Sequence, residues 1–77
     1  MIIKELHLYA TEREAYYERR LAEVDSRDLS IRYVSVADPH RLRGLRVEKV
    51  FDYVRYEVIP RSVAEEVSDI LRYGHLT

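Results

Sequence analysis

From Ile2 to Ala10 the chain alternates in character: Ile2, Leu6, Leu8 and Ala10 fall on one parity, and Ile3, Glu5, His7 and Tyr9 on the other. A repeat of two is that of a β-strand, whose successive side chains point to opposite faces. Thr11 follows, with Glu14 three residues on, which is the capping box that opens a helix. From Glu12 to about Asp25, Tyr17, Leu21 and Val24 form a narrow apolar stripe, and Ala15 and Ala22 lie on an adjacent strip where another backbone can come close. The remaining positions are charged. This reads as a surface helix packed along one side.

After a short polar link, Asp25 to Asp28, the segment Ile31-Arg32-Tyr33-Val34-Ser35-Val36 is β-branched and aromatic, which predicts a second strand. Asp38-Pro39 then sets an N-cap and a proline at the first helical position, and Gly44 closes one short helical turn. Residues Val47 to Ile59 are longer than an ordinary strand and contain no tight-hairpin pair. We read a strand over Glu48 to Tyr53 and an extended exit to Pro60. In the last segment Ser62 and Glu65 form a second capping box. Val63, Val67, Ile70 and Leu71 recur at helical spacing, Arg72 lies in the last turn, and Gly74 stops the helix.

The order is β-α-β-turn-β-α, which predicts a single α/β domain over residues 1–77. Its architecture is a β-α-β-β-α mini-domain with a small, mainly parallel three-stranded sheet and right-handed crossovers. Three strands leave two open edges, which self-association would cover. No repeat, linker or low-complexity segment interrupts the chain.

Composition narrows the picture further. Seventy-seven residues, 47% hydrophobic and 35% charged, describe a small folded domain with too little chain for a deep catalytic cleft. The absence of Cys excludes disulfides and thiolate metal sites. Apolar runs of two or three residues exclude a membrane span or signal peptide, so a cytoplasmic location is expected and no membrane partner. Arginine outnumbers lysine eleven to two, a style that points to a high-GC genome. Seven of the eight aromatics are Tyr, which serves either a thin core or a contact surface.

The net charge of −1 conceals a +3 segment over residues 31–61 between two ends of −2 each. The excess concentrates in His40, Arg41, Arg43 and Arg46 around Gly44, and a guanidinium loop of this kind can grip phosphates. The competing reading, a solvated turn whose arginines pair with nearby carboxylates, is the one we favour, because nucleic-acid binders are usually far more basic overall.

Other chemistry is thin. His7, His40 and His75 have no second ligand at metal spacing, so no metal site is expected; His7 and His40 could serve as acid or base, yet no nucleophile motif stands beside them. Asp52 at a strand end could hold a magnesium ion but reads better as a polar strand terminus. GxxxxGK[ST] and GxGxxG are absent, which removes the triphosphate cradle and any expected cofactor.

The stretch Arg43-Gly44-Leu45-Arg46-Val47-Glu48-Lys49-Val50-Phe51-Asp52-Tyr53 resembles the C-terminal RecA-like lobe of superfamily 2 helicases. In that lobe an Arg-Gly-Leu-Asp stretch lies between two strands. Leu6 to Ala15 is similar to the same lobe's first strand, Thr and helix. The resemblance implies a reduced RecA-like or Rossmann-like sheet. Arg46 stands where the helicase motif has Asp, and the arginine-finger motif is missing, so Arg43 and Gly44 are the only functional positions matched and ATP chemistry is not implied. The short, arginine-rich style is also similar to small accessory proteins of phages of high-GC bacteria.

These features lead to an expected function: a non-enzymatic domain that binds another macromolecule, protein rather than nucleic acid, with no cofactor and with itself or a host factor as partner. Tyr16, Tyr53 and Tyr56 are the candidate protein contacts. The alternative is phosphate or nucleic-acid binding through His40, Arg41, Arg43, Gly44 and Arg46.

Overall fold

The computed structural model of the chain describes residues 2–25 and 27–73. Its elements are β1 (Ile3–Tyr9), α1 (Glu12–Leu21), β2 (Ile31–Ser35), β3 (Val47–Asp52) and α2 (Arg61–Tyr73), with 3₁₀ turns at Pro39–Leu42 and Tyr56–Val58. The three strands form one sheet in the order β2-β1-β3, and both pairings are parallel. This is the α/β mini-domain expected from the alternation of strands and helices.

The first strand is central, so both of its edges are paired, and it is buried on both faces. Leu6 and Leu8 are wholly buried on one face; His7 and Tyr9 are buried on the other. The aliphatic face joins Leu6 and Leu8 to Val67 and Ile70 of α2, with Val34, Val50, Val63 and Leu71 packed around them. The helical spacing of Val63, Val67, Ile70 and Leu71 thus does place them on the core. At the other end of that core Leu42, from the 3₁₀ turn, and Val36 are buried. The turn is built as its sequence predicts: Asp38 accepts the His40 N–H at 3.3 Å and Pro39 takes the first turn. Gly44 has a φ of 79°. A Cβ there would meet nothing within 4 Å, so glycine serves the backbone angle rather than the space.

Three boundaries and one helix face differ from expectation. The third strand runs one residue earlier than Glu48 to Tyr53, and its exit contains a 3₁₀ turn instead of remaining extended. The last helix starts at Arg61, so Ser62 lies inside its first turn rather than ahead of it. The first helix ends at Leu21, and Glu23 turns the chain with a φ of 54°. Most consequential is the orientation of α1. Ala15 is 2% exposed, whereas Tyr17 and Leu21 of the apolar stripe are each 61% exposed. Ala15 packs while Ala22 is exposed, and of the larger stripe only Val24 is half-buried, because the sheet face beneath α1 is already filled by upright aromatic rings. The Thr11 cap forms as expected, its side chain accepting the Glu14 N–H at 3.1 Å. Gly74 and His75 lie outside the described residues.

Candidate functional site

Strand parity puts His7 and Tyr9 of β1, Tyr33 of β2, and Phe51 and the following Tyr53 on one sheet face. The register sets His7 directly between Tyr33 and Phe51. The rings of Tyr33 and His7 stack at 4.2 Å with 2° between their planes, and those of His7 and Phe51 at 4.6 Å with 9°. Tyr9 and Tyr53 continue the array at 5.3 Å. Strand neighbours are about 4.8 Å apart, so these rings stand upright across the sheet like cards in a rack. The array therefore shows ring edges and hydroxyls to the outside, not ring faces. Lys49 closes one end, its Nζ 4.8 Å from the centroid of Phe51. On the same face, Glu5 Oε1 lies 3.0 Å from His7 Nε2.

α1 crosses this face over β1 and β2 and leaves the β3 side open, where Tyr53 is 52% exposed. Between the helix and the array runs a groove of about 540 Å³. Its floor is His7, Tyr9, Tyr33 and Tyr53; Glu14, Glu18, Leu21 and Ala22 of α1 form one wall, and Arg55 stands at the opposite rim. Residues 14, 17, 18 and 21 share one side of a helix, so exposed Tyr17 belongs to the same side as that wall.

Acidic groups outnumber basic ones along the groove, Glu14 and Glu18 against Arg55. Burial first, then the Glu18 carboxylate, the neighbouring tyrosines and Glu14, push the Tyr9 hydroxyl up to about 12. Burial, with Glu5, Tyr53 and Glu18, also raises Tyr33. Neither Glu14 nor Glu18 takes part in any of the ion pairs among the described residues, which join Arg41 to Glu12, Arg43 and His40 to Glu66, Arg61 to Glu65 and His7 to Glu5.

The basic loop is differently disposed. Arg41 Nη1 donates to Glu12 Oε1 at 2.6 Å, and Arg43 Nη2 donates to Glu66 Oε1 at 3.1 Å. His40 Nδ1 lies 3.7 Å from the same Glu66 oxygen. These contacts tie the loop to the start of α1 and the middle of α2. Arg46 and Gly44 are exposed beside them. The loop thus has the geometry of a turn whose arginines pair with nearby carboxylates.

The three candidate contact tyrosines do not converge. Tyr53 joins the aromatic groove. Tyr16 is exposed on the outer flank of α1, where Arg20 donates to its hydroxyl at 3.4 Å. Tyr56 is half-buried against the aliphatic core and donates to Asp52 Oδ2 at 2.6 Å. Burial and this hydrogen bond to a carboxylate hold the Tyr56 hydroxyl well above its ordinary pKa. Asp52 Oδ1 accepts the Val54 N–H at 3.0 Å, so both its oxygens serve the strand exit. No group of three or more potential metal ligands occurs among the described residues.

Glu14, Glu18, Leu21 and Arg55 are not singled out as a site by the sequence, and neither is the groove; the signal that could have found it is the shared parity of the strand aromatics. Among the described residues no helix is long and apolar enough to cross a membrane. No protein-family model, curated protein or solved structure matches the chain.

Proposed function

We propose that the chain is a non-enzymatic protein-binding domain whose contact surface is the free side of α1 together with the open half of the aromatic face. The observation that carries this reading is the exposure of Tyr17, Leu21 and Tyr53 around a single groove. Burying such side chains is worth more to a complex than leaving them in water, and aromatic residues recur at interface anchors. Phosphate or nucleic-acid binding through His40, Arg41, Arg43, Gly44 and Arg46 ranks second, because binding there would first have to break the pairs with Glu12 and Glu66.

Affinity capture from a lysate of the cells that carry the gene tests the reading, with wild type, Leu21→Glu and Arg43→Ala as baits. The expected result is one enriched protein, retained by Arg43→Ala and lost by Leu21→Glu. DNA or RNA binding at low salt that disappears in Arg43→Ala, with no protein enriched, would overturn it.

A further inference from the structure

We propose that the groove between α1 and the aromatic face is a receptor for an arginine side chain presented by the partner protein. The inference rests on the protein-binding reading and names the chemistry that reading leaves open. Three independent features converge on a guanidinium. First, Glu14 and Glu18 lie one helical turn apart on the groove wall, and neither is in an ion pair among the described residues, although Glu12 and Glu66 are each paired with an arginine.

Second, Tyr9 is only 7% exposed and lines the groove, yet its hydroxyl bonds to no other described residue. No fully buried side-chain oxygen among the described residues lacks a partner, so this hydroxyl is the part of Tyr9 that reaches the groove. A buried ring with an unengaged hydroxyl at a cavity surface is a hydrogen-bonding group prepared for something outside the chain. Third, the floor is made of ring edges, along which the methylene stem of a long side chain can lie.

The occupant follows from these groups. Two carboxylates accept only, and a phenol oxygen can accept as well. A guanidinium has five N–H donors in a rigid plane and no acceptor, and can meet carboxylates and a phenol from one position. A carboxylate or phosphate would be repelled by Glu14 and Glu18. A lysine ammonium is more strongly hydrated and matches separated acceptors less well. Arg55 at the far rim puts a like charge near the bound guanidinium, which an acidic group beside the partner's arginine would offset.

The test is a titration of the full chain followed by amide NMR, using tri-arginine amide, tri-lysine amide and tri-glutamate as probes. Tri-arginine should give saturable shifts at Tyr9, Glu14, Glu18, Tyr33 and Tyr53. The double variant Glu14→Gln/Glu18→Gln should weaken binding at least about tenfold, since two charge-assisted hydrogen bonds are lost. Tyr9→Phe, which keeps the ring in the stack, should weaken it several-fold, and Glu12→Gln should leave it unchanged. Tri-lysine binding as tightly as tri-arginine, binding indifferent to the double variant, or no saturable shift would overturn the assignment. If Leu21-dependent capture of a protein persists in any of those cases, only the arginine assignment falls. If capture is absent too, the protein-binding reading falls with it.

Discussion

The orientation of α1 decides whether the groove exists, and two substitutions on that helix test it directly. Ala15 is 2% exposed and Leu21 61% exposed. Full burial of a leucine is worth about 1.5–3 kcal/mol, so a side chain about two-fifths covered contributes roughly 0.6–1.2 kcal/mol. Alanine is the better helix former and returns a few tenths of that. Leu21→Ala should therefore cost less than about 1 kcal/mol. Ala15→Leu does the opposite: it forces three carbons into a closed contact and should cost about 1–3 kcal/mol. Urea unfolding followed by circular dichroism measures both, and an unchanged slope with denaturant keeps the comparison valid. Had the Tyr17, Leu21 and Val24 stripe packed inward, the order would be reversed, with Leu21→Ala costing about 2–5 kcal/mol and Ala15→Leu tolerated. That result would turn α1 over, remove the groove, and with it the protein-binding reading and the arginine assignment.

Other parts of the structure make their own demands. Ile70→Ala on the buried side of α2 should cost about 2–5 kcal/mol in the same unfolding assay; a cost under about 0.5 kcal/mol would mean that this side of α2 is exposed. Glu23 holds a φ of 54°, which strains any side chain but glycine, so Glu23→Gly should raise stability by about 0.5–1 kcal/mol; a lower melting temperature would contradict that. The tyrosines set an alkaline limit. Tyr9 and Tyr33 keep their protons in the folded state above the unfolded value of 10.0, with Tyr9 titrating at about 12. In that window the unfolded chain binds fewer protons, so stability is complete below about pH 10 and falls as pH rises toward about 12. Urea midpoints across that range should fall in wild type and fall less steeply in Tyr9→Phe; identical slopes would refute the assignment.

Much of the fold is legible along the chain because its elements are defined locally. Alternation over Ile2 to Ala10, the Thr11 and Asp38 caps, Pro39 and Gly44 each act within a few residues, and each does in the structure what its type requires. The Val63, Val67, Ile70 and Leu71 spacing works for the same reason, since one helix face carries the whole signal. The face of α1 is not legible in this way. Tyr17 and Leu21 are larger than Ala15 and Ala22, and hydrophobic periodicity ranks them first. Which residue packs depends instead on what the opposing surface leaves room for, and here, with the rings of Tyr9 and Tyr33 beneath the helix, it is Ala15 alone of these four that is buried.

The two candidate sites differ in the same physical respect. Arg41, Arg43 and Arg46 are conspicuous because they are adjacent in sequence, but the carboxylates that answer Arg41 and Arg43 are Glu12 and Glu66, 29 and 23 residues away. A cluster read in one dimension overstates free charge, because its counter-charges come from elsewhere in the chain. The groove shows the converse error. Glu14 and Glu18 look like ordinary members of a charged helix, indistinguishable in sequence from Glu12. Only the crossover of α1 above β1 and β2 separates them, leaving Glu12 beside Arg41 and the other two above an aromatic floor. The signal present in the sequence was parity: His7, Tyr9, Tyr33, Phe51 and Tyr53 all fall on the strand face opposite Leu6, Leu8, Val34 and Val50. Parity assigns a face but not a register, and it is the register, His7 between Tyr33 and Phe51, that turns five separate aromatics into one wall-to-wall array. An array so closely stacked leaves no room for a base or ring to insert, so what it offers a partner is the row of ring edges and hydroxyls and the two carboxylates above them, which form no ion pair among the described residues.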